Sequence, residues 1–250
     1  MHALLVFVAG VIAGGINALA GGGSLVSFPT LIWLGVPPIL ADATNAAALW
    51  PGTLASAWGY RRELRGVDRR VFALVVPSVI GSMLGALLLH RTTPGVFDRI
   101  VPLLILFATC LFMGQDALQR RFNLTAAHTA RSHWLSWTMA FQLVVAVYGG
   151  YFGGGMGILM LATLTLMGHS NIHRMNGLKS LLAASINGVA AAYFIANGMV
   201  IWSDATVMAL GTVTGGVGGA TVARFIGQLA VRRTVIVFGF VMAVALMSRW

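Results

Sequence analysis

Acidic side chains are scarce in this sequence: six Asp and Glu stand among 250 residues, and the four charged residue types together make up 9%. A domain facing water carries about 25% charged residues, because its surface has to stay hydrated. So little charge argues against an ordinary soluble fold. No paired carboxylates occur that would suit a metal or sodium cage. The one cysteine, Cys110, excludes an internal disulfide and a thiolate metal cage, and its apolar surroundings suggest a small buried filler. His169 and His173 are spaced by four but form only a pair, too few for a zinc site. No nucleophile elbow, P-loop or His-Glu-x-x-His motif occurs, so neither hydrolytic chemistry nor ATP-driven pumping by this chain is expected, and no cofactor is implied.

What is abundant is apolar sequence, at 58% of the chain with a mean hydropathy of +0.87. Apolar segments run at about 3–20, 24–36, 41–60, 71–90, 99–115, 133–150, 156–168, 176–198, 204–223 and 234–248. At about 20 residues per span, the length allows roughly eight to ten crossings with short connections. The expected class is an all-α integral membrane protein, with residues 1–250 forming one membrane domain in a lipid bilayer. The start lacks a basic leader and its apolar run resumes at Leu25, so residues 1–20 read as a retained span rather than a cleaved signal. Trp33, Trp50, Trp58, Trp134, Trp137, Trp202 and Trp250 fall mostly near segment ends, as interfacial belts do.

The net charge of +10 comes from short arginine clusters between apolar runs: 61–70, 120–131 and 224–233. Such clusters are a signal of membrane orientation rather than a nucleic-acid footprint.

The chain also repeats itself. AGGGSLVSFPTLIWLG (20–35) resembles FGGGMGILMLATLTLMG (152–168), and each leads through a polar turn into a helix with Thr44-Asn45 or Asn176-Gly177 near its start. Gly81 and Gly85 are answered by Gly215 and Gly219, so an offset of 132 to 134 residues is held throughout. Two halves follow, 1–118 and 133–250, joined by a cytoplasmic connecting loop at 119–132.

Residues 4–36 are too long for one straight span, and three glycines lie in their middle, where helix propensity is poorest. With a broken helix pair opening each half, the arginine clusters all fall on one side, and the weakly charged loops 91–99 and 198–203 on the other. Lys and Arg favour the cytoplasmic side. Five segments per half is an odd number, so the halves are expected to be inverted repeats, with both termini external. Inverted repeats with interrupted helices are typical of secondary transporters, which bind substrate where the breaks meet.

Candidate substrate-binding residues follow from this plan. Gly21, Gly22 and Gly23, with Gly153, Gly154 and Gly155, leave backbone N–H groups approachable at a helix start, which suits an anion; close helix packing is the alternative. Asn45 shares a helical face with Gly52 and Ser56, and Asn176 with Ser180, Ala183 and Asn187. Thr44 and Gly177 sit beside them. Lys179, the only lysine, is either an anion ligand or a lysine reaching back to the interface. Asp42 reads as a helix N-cap in preference to a proton-coupling carboxylate. Gly81/Gly85 and Gly215/Gly219, spaced by four, read as packing positions.

The doubled glycine-rich entry, the run to Leu-Gly or Met-Gly, and the polar turn into a second helix resemble the TauE/SafE family of bacterial sulfite exporters, over nearly the whole chain. That resemblance implies a multi-pass transporter of the inner membrane that exports sulfite, sulfonates or a related small anion. It implies further that the glycine clusters and the helix starts at Thr44, Asn45, Asn176 and Gly177 surround the pathway. Asp42 stands where the family pattern has a small or apolar residue, and Asn176 where it has a small hydroxyl residue. Coupling to protons and a possible homo-oligomer complete the expectation.

Overall fold

The computed structural model describes residues 1–19, 21–65, 72–126, 134–167, 171–226 and 228–247. Among them are ten α-helices and no strand. The helices are α1 His2–Leu19, α2 Ser24–Trp33, α3 Pro38–Gly59, α4 Val75–Arg91, α5 Pro94–Ala126, α6 Trp134–Tyr151, α7 Met156–Leu166, α8 Ile172–Ala196, α9 Trp202–Ile226 and α10 Gln228–Met247. Each expected apolar segment holds one helix. α5 continues through Ala126, so the first part of the segment expected to connect the halves is helical, and 127–133 lie outside the described residues.

Turn chemistry ends these helices where glycine or proline demands it. Gly35 and Gly198 take the left-handed backbone conformation, with φ of 90° and 68°, and the next residue reaches back five positions: Val36 N–H to Leu31 O, and Met199 N–H to Phe194 O. Both are glycine C-caps of the Schellman kind. Pro37-Pro38 opens α3, with Pro37 at the N-cap and no side chain capping it. Asp42 therefore does not cap the helix as expected; it lies in the helix body and is buried.

The outer surface is rich in large apolar side chains, and polar side chains are held inside among an apolar core. Leu4, Val8, Ile12, Val76, Ile80, Leu84, Leu103, Phe107, Val144, Leu210, Val217 and Val241 are exposed. Thr44, Asn45, Ser56, Ser78, Ser82, Gln142, Asn176, Lys179, Ser180 and Asn187 are buried. This distribution suits a surface solvated by lipid, where polar groups turn inward to find partners. Trp33, Trp58, Trp137 and Trp202 face outward near helix ends. Cys110 corrects the sequence reading: it is exposed on α5, one more member of the outer face.

α1 packs along α9, α4 along α6, α3 against both α8 and α9, α8 also against α4, and α5 along α10. Every one of these pairings maps onto another, or onto itself, when α1–α5 are exchanged with α6–α10. Small residues permit the closest of them. A Cβ added at Gly10 would lie 2.5 Å from Met208 O, and one at Gly215 would strike the Val11 carbonyl. In α4, Gly81 and Gly85 lie against the α6 backbone at Leu143 and Val147, so they are packing positions as expected. The surroundings of Gly219 lie outside the described residues.

Candidate functional site

The two glycine clusters interrupt helices at matching places. α1 ends at Leu19 and α2 starts at Ser24; α6 ends at Tyr151 and α7 starts at Met156. Gly21 and Gly153, 132 positions apart, have φ of 79° and 75°, a region open to glycine at no steric cost. Each donates its N–H five residues back, Gly21 to Ile16 O and Gly153 to Tyr148 O, both at 3.2 Å. α2 and α7 have 10 and 11 residues. At 1.5 Å per residue they reach about half of a hydrocarbon core roughly 30 Å thick.

The breaks meet. A Cβ built on Gly21 would lie 2.5 Å from Gly157 Cα, so the backbones touch there. Ser24, the first residue of α2, brings its Oγ to 3.9 Å from the Cβ position of Gly153. The N-termini of α2 and α7 thus enter one junction. Each such terminus carries the equivalent of about half a positive charge.

Side chains from later helices close around this junction. Lys179, on α8, is 1% exposed and donates to Asn17 O (3.0 Å), Ala18 O (3.3 Å) and Asn176 Oδ1 (3.1 Å). The first two are carbonyls in the last turn of α1, which have no helical partner of their own. The ammonium thereby caps α1 where the glycines stop it, and all three of its N–H groups are engaged. It does not reach the surface. Asn45 Oδ1 accepts from Ser27 Oγ at 2.5 Å, and the same hydroxyl lies 3.2 Å from Gly23 O. Lys179 with the end of α1 and Asn176 forms one hydrogen-bonded group at the first break, and Ser27 with Gly23 and Asn45 forms another. At the second break Tyr148 donates to Gly154 O at 2.5 Å.

Other expected residues have structural partners. Thr44 Oγ1 accepts from the N–H of Ile201, tying α3 to the turn before α9. Gly177 faces Tyr60 and Leu64, where a Cβ would come within 3.0 Å. Gly52 and Ser56, on the polar face of α3, lie against Thr212 and Gly216 of α9, so that strip is largely an interhelical contact. Gly22 lies under the Phe112 ring and Gly154 under that of Phe152. Ser180 is buried on the face of α8 that carries Asn176. Two recesses are present. One of about 410 Å³ is lined by Leu88, Val147, Tyr151 and Tyr148, the last also at the second break, and one of about 590 Å³ by Val36, Pro38, Asp98 and Arg99 among others. Among the described residues no group of three or more His, Cys, Asp or Glu could hold a metal ion.

Residues 6–246 match the family model described as sulfite exporter TauE/SafE. The chain belongs to the TauE/SafE family. This TauE/SafE chain is 30% identical over 251 residues to the "Probable membrane transporter protein YfcA" of Escherichia coli K12, covering 98% of this chain and 88% of the relative. It is 28% identical over 242 residues to a "Probable membrane transporter protein" of Haemophilus influenzae, covering 95% and 91%. A third relative, "Probable membrane transporter protein ORF9" of a Sinorhizobium species, is 27% identical over 243 residues, covering 97% and 91%. No solved structure matches. Family and relatives together mark the chain as a membrane transporter.

Three residues of this TauE/SafE junction escaped the sequence reading. Asn17 lies on α1, its Cβ 3.1 Å from where one on Gly23 would be, while Ser24 and Ser27 lie on α2. The available signal was polarity: each is a lone hydrogen-bonding residue beside the glycines in a run that is otherwise apolar.

Proposed function

We propose that this chain is a multi-pass secondary transporter of the bacterial inner membrane that exports a small sulfur oxoanion, sulfite or an organosulfonate. The observation that carries the reading is the meeting of the two glycine breaks at Gly21 and Gly157. Two half-length helices start there, and their positive ends favour an anion between them. Non-helical backbone at membrane depth is tolerated where it is buried in protein or lines a wet cavity, as in transporters with discontinuous helices.

The inverted-repeat plan is part of this proposal. It is supported by the exchangeable helix pairings, the matched bonds at Gly21 and Gly153, and the five helices in each half. An odd number of helical segments per half, each running against the one before it, turns the second half over. Alternating access then amounts to rocking one half against the other, with the anion held at the breaks by backbone N–H groups and by Asn45, Asn176, Ser180 and Lys179. With every N–H of Lys179 engaged on protein acceptors, the arrangement has the character of a closed carrier: an anion at the ammonium displaces one of those acceptors.

Purified protein in liposomes tests the reading. Loaded sulfite should exchange with external labelled sulfite, and a simple sulfonate such as taurine should compete. Exchange that cations inhibit and oxoanions leave untouched would instead identify a cation permease.

A further inference from the structure

The anion site leaves one buried acidic group unused. Asp42 lies in the body of α3, is 2% exposed, and its Oδ1 has no hydrogen-bond partner among the described residues. A carboxylate with no counter-charge in a dry site is among the most costly groups a fold can hold, and inside membrane segments such residues mark ion and proton pathways. The position is one-sided. At the matching place in the second half, 132 residues on, stands Arg174, whose Nε donates to Glu63 O at 3.4 Å.

Among the described residues no cationic side chain pairs with Asp42. The one acid–base contact there is His2 Nε2 with Asp204 Oδ1, at 2.9 Å. On α6 the hydroxyls of Tyr148 and Tyr151 are already committed, Tyr148 to Gly154 O and Tyr151 to Thr92 Oγ1. α2 carries no ionisable residue, and α1 carries only His2, held by Asp204 of α9. α8 brings Lys179, bound to α1 and Asn176; Arg174, bound to the Glu63 carbonyl; His173; and Tyr193, which pairs with His90. α5 brings Asp98 and Arg99, which line the recess beside Pro38.

We infer that Asp42 is the proton-carrying site of this transporter, taking up one proton at its free oxygen in each cycle and returning it on the other side. The inference rests on the transport reading above and names the coupling ion and its residue.

The experiment uses the whole chain in liposomes, with labelled sulfite as substrate and a trapped pH dye. In wild type, net sulfite flux should follow an imposed pH gradient and be accompanied by proton movement. Asp42→Asn should retain sulfite-for-sulfite exchange within about twofold but lose gradient-driven net flux by tenfold or more, and Asp42→Glu should retain both. A sodium gradient that drives flux where a proton gradient does not, or an Asp42→Asn variant with unchanged proton-driven flux, overturns the inference. So does equal loss of exchange and net flux in both variants. Infrared difference spectra across a pH titration provide a readout without substrate: wild type should show a protonated carboxyl band that Asp42→Asn lacks. Absence of that band overturns the proton site alone, whereas a wild type that exchanges no sulfite or sulfonate overturns the transport reading.

Discussion

Gly21 and Gly157 touch backbone to backbone, a Cβ on either lying 2.5 Å from the Cα of the other. The contact joins residues 136 positions apart, one from each half, and leaves no volume for a methyl group on either side. Overpacking at a well-fitted contact costs about 1–3 kcal/mol. Gly157 is helical, so alanine would otherwise favour the helix there by roughly 1 kcal/mol. Gly157→Ala should lower the melting temperature and the exchange rate together. Gly114→Ala, on α5 with open space around its Cβ position, is the control and should be neutral or stabilising. Thermal unfolding in detergent and sulfite exchange in liposomes measure both; a Gly157→Ala protein as stable and active as wild type would remove the contact from the mechanism.

Lys179 has two parts to separate, the cap on α1 and the anion ligand. Lys179→Met removes three hydrogen bonds and leaves the Asn17 and Ala18 carbonyls in an apolar setting, at a cost of about 2–4 kcal/mol. Hydrogen exchange should quicken at Gly21 through Ser24 whether or not sulfite is present. If anion binding is a second role, sulfite should stabilise wild type and fail to stabilise Lys179→Met. Equal sulfite flux in Lys179→Ala, Asn176→Ala and wild type would take both side chains out of transport.

Ser27 and Asn45 form the link between α2 and α3. Ser27→Ala should cost about 1 kcal/mol or more, because Asn45 Oδ1 loses its donor in a buried setting; Asn45→Ala should cost less, because the Ser27 hydroxyl still has Gly23 O to donate to. The double variant should cost less than the sum of the two, and that shortfall measures the bond. Simple additivity in thermal unfolding would show that the two do not communicate.

Orientation can be read from labelling. In a Cys110→Ala background, single cysteines at Arg62 and Arg232 should react with an impermeant reagent from the cytoplasmic side, and those at Gly95 and Asn197 from the other. Reaction of the first two from opposite faces would reject the inverted halves.

Much of this architecture was legible because it depends on local rules. Hydropathy placed ten segments and ten helices occupy them; glycine triplets marked both breaks because only glycine holds φ near 79° or 75° without strain. Exposure of Cys110 was not legible, since an apolar run looks the same whether it faces lipid or neighbouring helices. Asp42 was misread for a related reason. Its place near a polar turn suggested a cap, but Pro37-Pro38 starts the helix earlier and carries the carboxylate into the interior.

The sequence by itself determined the helices, their interruptions and the burial of polar faces, because period, propensity and transfer from water act on neighbours along the chain. Only the tertiary structure decided that the breaks meet at Gly157, that Lys179 caps a helix 162 residues earlier, and that Asp42 Oδ1 is left without a partner among the described residues. Those outcomes depend on which backbones can approach most closely and which buried donors then find acceptors, and both are properties of the packed helices together.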